Sequence, residues 1–230
     1  MTKQAILFLA VVCVSSVARA QESSFFIKAG VNSANISTTS NGKYDAANAL
    51  TSFHAGVMAD LPLSKFFSVQ PGLLFTGKGT KTEKGKTTDA SYFRATTNPY
   101  YIELPVNLIA KIPLLSEESN VFFGAGPYIA AGVAGKNKAE GKIFGAGFDY
   151  SKNIRFSNDN PITTNYEEGA GINVMKRFDY GLNATAGLQF SSFLVSVNYG
   201  YGLAKLSSGT ANNNESNKHR ILGLSVGVRL

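Results

Sequence analysis

Eight ionisable side chains could do chemistry inside this chain of 230 residues: Lys28, His54, Asp60, Lys78, Glu103, Lys111, Asp179 and Arg229. They are scattered along the sequence and form no motif. No acidic group has the spacing of a calcium loop. Gly124-Ala125-Gly126 lies in a strand-like stretch and opens no helix, so it is not a phosphate loop. The single cysteine, Cys13, falls in the leader described below, which leaves the mature part without a thiolate ligand or a disulfide. His54 and His219 are the two histidines available for general-base work. No Ser–His–Asp pattern is legible around either. The expectation is therefore no catalytic residue, no cofactor and no metal. If the charges lie inside a narrow barrel they must pair, because an unpaired buried charge is costly. Lys28, Asp60, Glu103, Lys111, Asp179 and Arg229 are expected to form such a structural lumen cluster. The competing reading makes them the gate of a proton or ion path.

The elements that would position these residues are strands. Apolar residues alternate with small or polar ones over 25–31, 53–61, 67–75, 102–110, 123–131, 178–188, 193–201 and 222–230. Most of these segments approach the nine to eleven residues that a tilted strand needs to cross a bilayer. No later stretch approaches eighteen consecutive apolar residues, so no membrane-spanning helix is expected. Charged residues are only 16% of the chain, below the quarter or so of ordinary soluble domains. There are 23 glycines, 16 phenylalanines, 10 tyrosines and no tryptophan.

Residues 1–20 read as a cleaved secretory signal. Lys3 supplies the positive start, 5–14 the apolar run, and Ala18-Arg19-Ala20 the small-residue cleavage pattern. Residues 21–230 then form one domain. The connections between strands alternate short (62–66, 113–120, 191–192) and long (38–50, 79–98, 135–176, 205–218). Outer-membrane barrels have short periplasmic turns and long outer loops. The expected fold is all-β: an eight-stranded antiparallel up-and-down transmembrane β-barrel. The stretch 143–150 should form a hairpin above the membrane, extending the fifth strand. An extra strand pair, making ten, is the alternative.

Which face is apolar separates a membrane barrel from a soluble lipocalin-like carrier. The polar face is mostly Gly, Asn, Ser, Thr and Gln with few charges, which suits a narrow filled lumen. Aromatics such as Phe25, Phe53, Phe67, Phe75, Tyr100, Phe178, Phe190, Phe193, Tyr199 and Tyr201 fall near strand ends, as in two interfacial girdles. The last strand keeps its alternation to Leu230 itself.

These segments resemble the PorT-like outer-membrane β-barrel family. The matching elements include Phe26-Ile27-Lys28-Ala29-Gly30-Val31-Asn32, Gln70-Pro71-Gly72, Ile102-Glu103-Leu104-Pro105 and Gly124-Ala125-Gly126-Pro127-Tyr128. The resemblance implies the fold and the outer membrane of a Gram-negative bacterium, and it leaves activity open. Expected partners are outer-membrane lipid and lipopolysaccharide, the barrel-assembly machinery during biogenesis, and an unidentified envelope protein; nucleic acid is excluded by export. Lys81, Lys84, Lys86 and Arg94 give one outer connection a basic excess that would suit lipopolysaccharide phosphates. The expected role is structural, adhesive or envelope-docking. The alternatives are a narrow channel, a lipid-modifying enzyme or a soluble carrier.

Overall fold

The computed structural model describes residues 23–37, 49–86, 88–89, 91–114, 119–143, 145–157, 174–204 and 218–230. The expected signal and most of the connections 38–50 and 205–218 lie outside them. Twelve strands follow in order: β1 (Ser24–Ser37), β2 (Leu50–Pro62), β3 (Phe67–Gly77), β4 (Thr80–Lys84), β5 (Tyr92–Pro113), β6 (Ser119–Ile143), β7 (Ala146–Asn153), β8 (Arg155–Ser157), β9 (Val174–Lys176), β10 (Phe178–Phe190), β11 (Phe193–Gly202) and β12 (Lys218–Arg229).

Eight of them close a ring. The order is β1-β2-β3-β5-β6-β10-β11-β12, and β12 pairs back onto β1 from Phe26↔Arg229 to Ser37↔Lys218. Every ring pairing is antiparallel. Closure leaves no ring strand with an unpaired edge, a requirement in lipid, where no water satisfies backbone groups. The ring has eight strands, as the alternation predicts, and among the described residues the short turns at 63–66 and 191–192 fall where expected.

The apolar face points outward. Ile27, Val57, Leu73, Leu104, Ile129, Leu182, Val195 and Leu224 are all exposed on the wall. Phe53, Phe75 and Tyr100 pack together at one end, with Phe75 and Tyr100 stacked at 5.4 Å. Phe25, Phe67, Phe190 and Phe193 are exposed at the other end. Phe178 and Phe190 stand at opposite ends of the 13-residue β10. At about 3.4 Å per residue and a tilt of about 40°, that separation is roughly 30 Å, near the height of a hydrocarbon core.

The stretch 79–98, expected as a polar loop, is largely strand, and so are the described residues of 135–176, where a hairpin is expected at 143–150. β5 runs 22 residues and β6 runs 25, about twice what crossing requires. Their excess, flanked by β4 on one side and β7 on the other, makes an antiparallel sheet β4-β5-β6-β7 beyond the wall. Outside lipid a strand need not show an apolar face, so this polar extension lacks the alternation that marks the ring. The β6–β7 hairpin accounts for 143–150: Ile143 ends β6, Gly145 takes a positive φ of 86° in the turn, and Phe148 and Tyr150 lie on β7. The step between wall and extension is a bulge. Tyr100 pairs with Ala134 and Tyr101 with Gly132, leaving Val133 as the extra residue and reversing the face parity of β6 above it.

Candidate functional site

The lumen is filled in storeys, and each is built by inward-facing residues of different ring strands. At the rim beside the short turns Lys111 pairs with Asp60, and Gln70 Nε2 donates to the other carboxylate oxygen at 3.0 Å. Next comes an apolar floor of Phe26, Met58, Ile109, Phe122 and Leu194, with Leu74 against it. These residues stand on the strand face that reads as mainly polar, near the strand ends. Glycine makes room for the large rings. Gly187 is the cross-strand neighbour of Phe122 and Gly181 of Tyr128. A Cβ at those positions would lie 2.6 Å from Phe122 Cζ and 2.7 Å from Tyr128 Cε1, closer than side chains pack.

Above the floor lies a hydrogen-bonded hub across the barrel seam. Lys28 Nζ donates to Asn198 Oδ1 at 2.8 Å, and Asn198 Nδ2 donates to Ser225 Oγ at 2.7 Å. Ser225 Oγ and His54 Nε2 are 2.7 Å apart, as are His54 Nδ1 and Asn32 Oδ1. Asn32 Nδ2 donates to Thr76 Oγ1 at 3.0 Å. Because Asn32 presents its oxygen, His54 carries its proton on Nδ1 and accepts from the serine through Nε2. The chain therefore ties β11, β12, β2, β1 and β3 together.

Ser225, His54 and Asn32 have the connectivity of a nucleophile, a base and its orienter. Sequence reading missed this because the serine and histidine are 171 residues apart in the chain and meet only on ring closure. Their setting does not suit acyl transfer. All three are buried, Ser225 Oγ already accepts from Asn198, and the adjoining cavity is about 60 Å³, room for a water or two.

The top storey is ionic. Lys78 Nζ is 2.7 Å from Glu103 Oε2 and 2.9 Å from Asp179 Oδ2. Tyr128 Oη donates to Asp179 at 3.1 Å and Asn183 Nδ2 to Glu103 at 3.0 Å. The ammonium sits 4.0 Å from the Tyr128 ring centroid. His219 is buried beside it, its Nε2 3.4 Å from the Tyr101 hydroxyl.

The expected cluster of six thus resolves into separate sites. Glu103 and Asp179 meet through Lys78, Asp60 meets Lys111, Lys28 joins the hub, and Arg229 is exposed outside the lumen. Arg229 stands one residue from the chain end, where the wall no longer encloses it. His54 and His219 belong to different storeys, on β2 and β12, with β1 between those strands.

Among solved structures, 26 chains match. Ail, the attachment invasion locus protein of Yersinia pestis, in complex with the heparin analogue sucrose octasulfate, is 14% identical, with 91% of this chain and 100% of that one covered at a TM-score of 0.40. Neisserial surface protein A is 13% identical, with the same coverages and a TM-score of 0.42. No curated protein matches. The family model described as "Outer membrane protein beta-barrel domain" matches residues 19–208. With a closed ring of eight strands, an apolar exterior and a filled interior in agreement, this chain belongs to the outer membrane protein β-barrel domain family.

Proposed function

We propose that this barrel is a non-catalytic membrane anchor that displays a recognition sheet outside the cell, with an adhesive or envelope-docking role. The observation that carries the reading is the length of β5 and β6. Beyond the bulge β5 continues from Pro99 out to Tyr92 and β6 from Ala134 out to Ile143, and these lengths are organised with β4 and β7 into a sheet. That sheet exposes Phe93 and Phe148, whose rings lie 6.3 Å apart on one face. Exposed aromatic pairs of this kind serve protein contacts. All eight residues of β7 are exposed, and among the described residues its outer edge pairs with no strand. Such an edge can accept an added strand.

The narrow channel is disfavoured by the packed floor and the 60 Å³ cavity. Membership of the PorT-like branch is part of the proposal and is supported by the Gln70-Pro71-Gly72 and Ile102-Glu103-Leu104-Pro105 elements. A trimmed barrel tests the role: the β6–β7 and β4–β5 extensions are replaced by short turns and cell attachment and detergent resistance are compared. The reading expects attachment to be lost while resistance stays. Loss of resistance with attachment intact would favour a purely structural role.

A further inference from the structure

The bulge at Val133 leaves a notch in the outer side of the wall. Below it β10 pairs with β6 up to Phe178↔Ala131. Above it β7 pairs from Lys136↔Asn153 onward. Between these points opens a cleft of about 830 Å³ whose polar lining is Thr96, Asn98, Lys136, Lys138 and Asn153. Its facing is set by register. Lys136 and Lys138 lie opposite Asn98 and Thr96, and these share a strand face with Tyr100 on β5. Tyr100 packs outward on Phe53 and Phe75, so the cleft opens away from the lumen. Tyr100 and Val133 also line it, so the cleft begins where the outer aromatic girdle ends. That is the depth of lipid headgroups.

The charge of the cleft is uncompensated. Farther out on the same face Arg94 is bridged to Glu83 at 3.0 Å and to Glu140 at 2.9 Å. Lys136 and Lys138 are in no ion pair among the described residues, and both are exposed. Two free ammonium groups, a hydroxyl and two side-chain amides therefore converge at headgroup depth.

We propose that this cleft binds the phosphorylated sugar headgroup of an outer-leaflet glycolipid. Lys136 and Lys138 take the phosphate, and Thr96, Asn98 and Asn153 take sugar hydroxyls. The site rests on the membrane-anchor reading and adds to it a specific lipid contact. It is separate from the basic excess at Lys81, Lys84 and Lys86, since only Lys136 and Lys138 sit in a concave site.

The test uses the full folded chain in detergent micelles, titrated with phosphorylated lipid A, dephosphorylated lipid A, phosphatidylglycerol and inorganic phosphate. Phosphorylated lipid A is expected to bind, and the Lys136→Gln/Lys138→Gln variant to bind it about 30-fold more weakly, from the usual contribution of two lysines at an anionic surface. Lys142→Gln/Lys152→Gln removes the same charge from the same sheet and should stay within about threefold of wild type. Dephosphorylated lipid A and phosphatidylglycerol should bind wild type weakly, and millimolar inorganic phosphate should not displace the lipid. The proposal is overturned if the cleft variant binds like wild type, or if the control pair loses as much. It is also overturned if phosphatidylglycerol matches lipid A or inorganic phosphate competes fully. Gel mobility before and after heating is read on every variant. A lost heat shift counts against the barrel, and lost binding with the shift retained counts for the site.

Discussion

Lys78 Nζ lies 2.7 Å from Glu103 Oε2, with the ammonium fully shut from solvent and the carboxylate nearly so. Asp179, two strands round the ring from Glu103, holds the same ammonium at 2.9 Å. One cation thus compensates two buried carboxylates contributed by β5 and β10. Lys78→Met should destabilise the folded barrel by about 3–5 kcal/mol, the usual result of stripping a buried pair of one partner. Adding Glu103→Gln and Asp179→Asn should recover much of the loss, because no buried charge is then left alone. Urea unfolding in detergent, followed by the heat-dependent gel shift, measures both. Equal stability of Lys78→Met and wild type would contradict the triad's structural role.

The rim pair should matter less. Lys111 retains some exposure at the barrel mouth, so water shares in its solvation. Lys111→Ala is expected to cost about 1 kcal/mol or less, and the cost should shrink in high salt. The same unfolding assay, run at low and high salt, checks this.

The hub should be inert as a nucleophile. A fluorophosphonate probe is expected to leave the folded protein unlabelled, because Ser225 is fully buried with its Oγ held between His54 and Asn198. Labelling that vanishes in Ser225→Ala would make the Asn32–His54–Ser225 relay an active site. His54→Leu should instead lower stability by about 1–3 kcal/mol, since it deprives Asn32 and Ser225 of their partner.

The apolar floor should close the lumen. Wild type is expected to show no stable openings in a planar bilayer. Phe122→Ala removes the ring that packs over Gly187 and should cost about 3–5 kcal/mol. It is the variant in which small conductance steps are expected first. Porin-sized steps in wild type would contradict the filled lumen.

How much of this was legible in the sequence follows from where lipid acts. Ile27, Leu104, Val195 and Leu224 show a period of two because one face of each must meet hydrocarbon, and that period alone marks the ring. Above the membrane the constraint lapses, so Thr80–Lys84 and the upper part of β6 read as loop although they are strand. Inside, parity places Lys78, Glu103 and Asp179 on the lumen side but does not pair them, and the expected cluster leaves Lys78 out. Lys78 follows the last residue of β3, and only the ring brings it to them. Phe26, Ile109 and Phe122 carry an inward parity that signals a packed floor once the faces are known. The Ser225–His54 contact depends on closure of β12 and β2 around β1 and has no local signal at all.

A barrel in this orientation spans the outer membrane with its long sheet outside and its tight turns within. Single cysteines introduced at Ala146, beside the β6–β7 turn, and at Ser192, in the β10–β11 turn, test it most directly, since both positions are exposed. Intact cells are treated with a membrane-impermeant maleimide. Ala146→Cys should label at once, and Ser192→Cys only after the outer membrane is opened. Labelling of Ser192→Cys alone in intact cells would invert the orientation, and labelling of neither would place the chain inside the envelope and contradict the account.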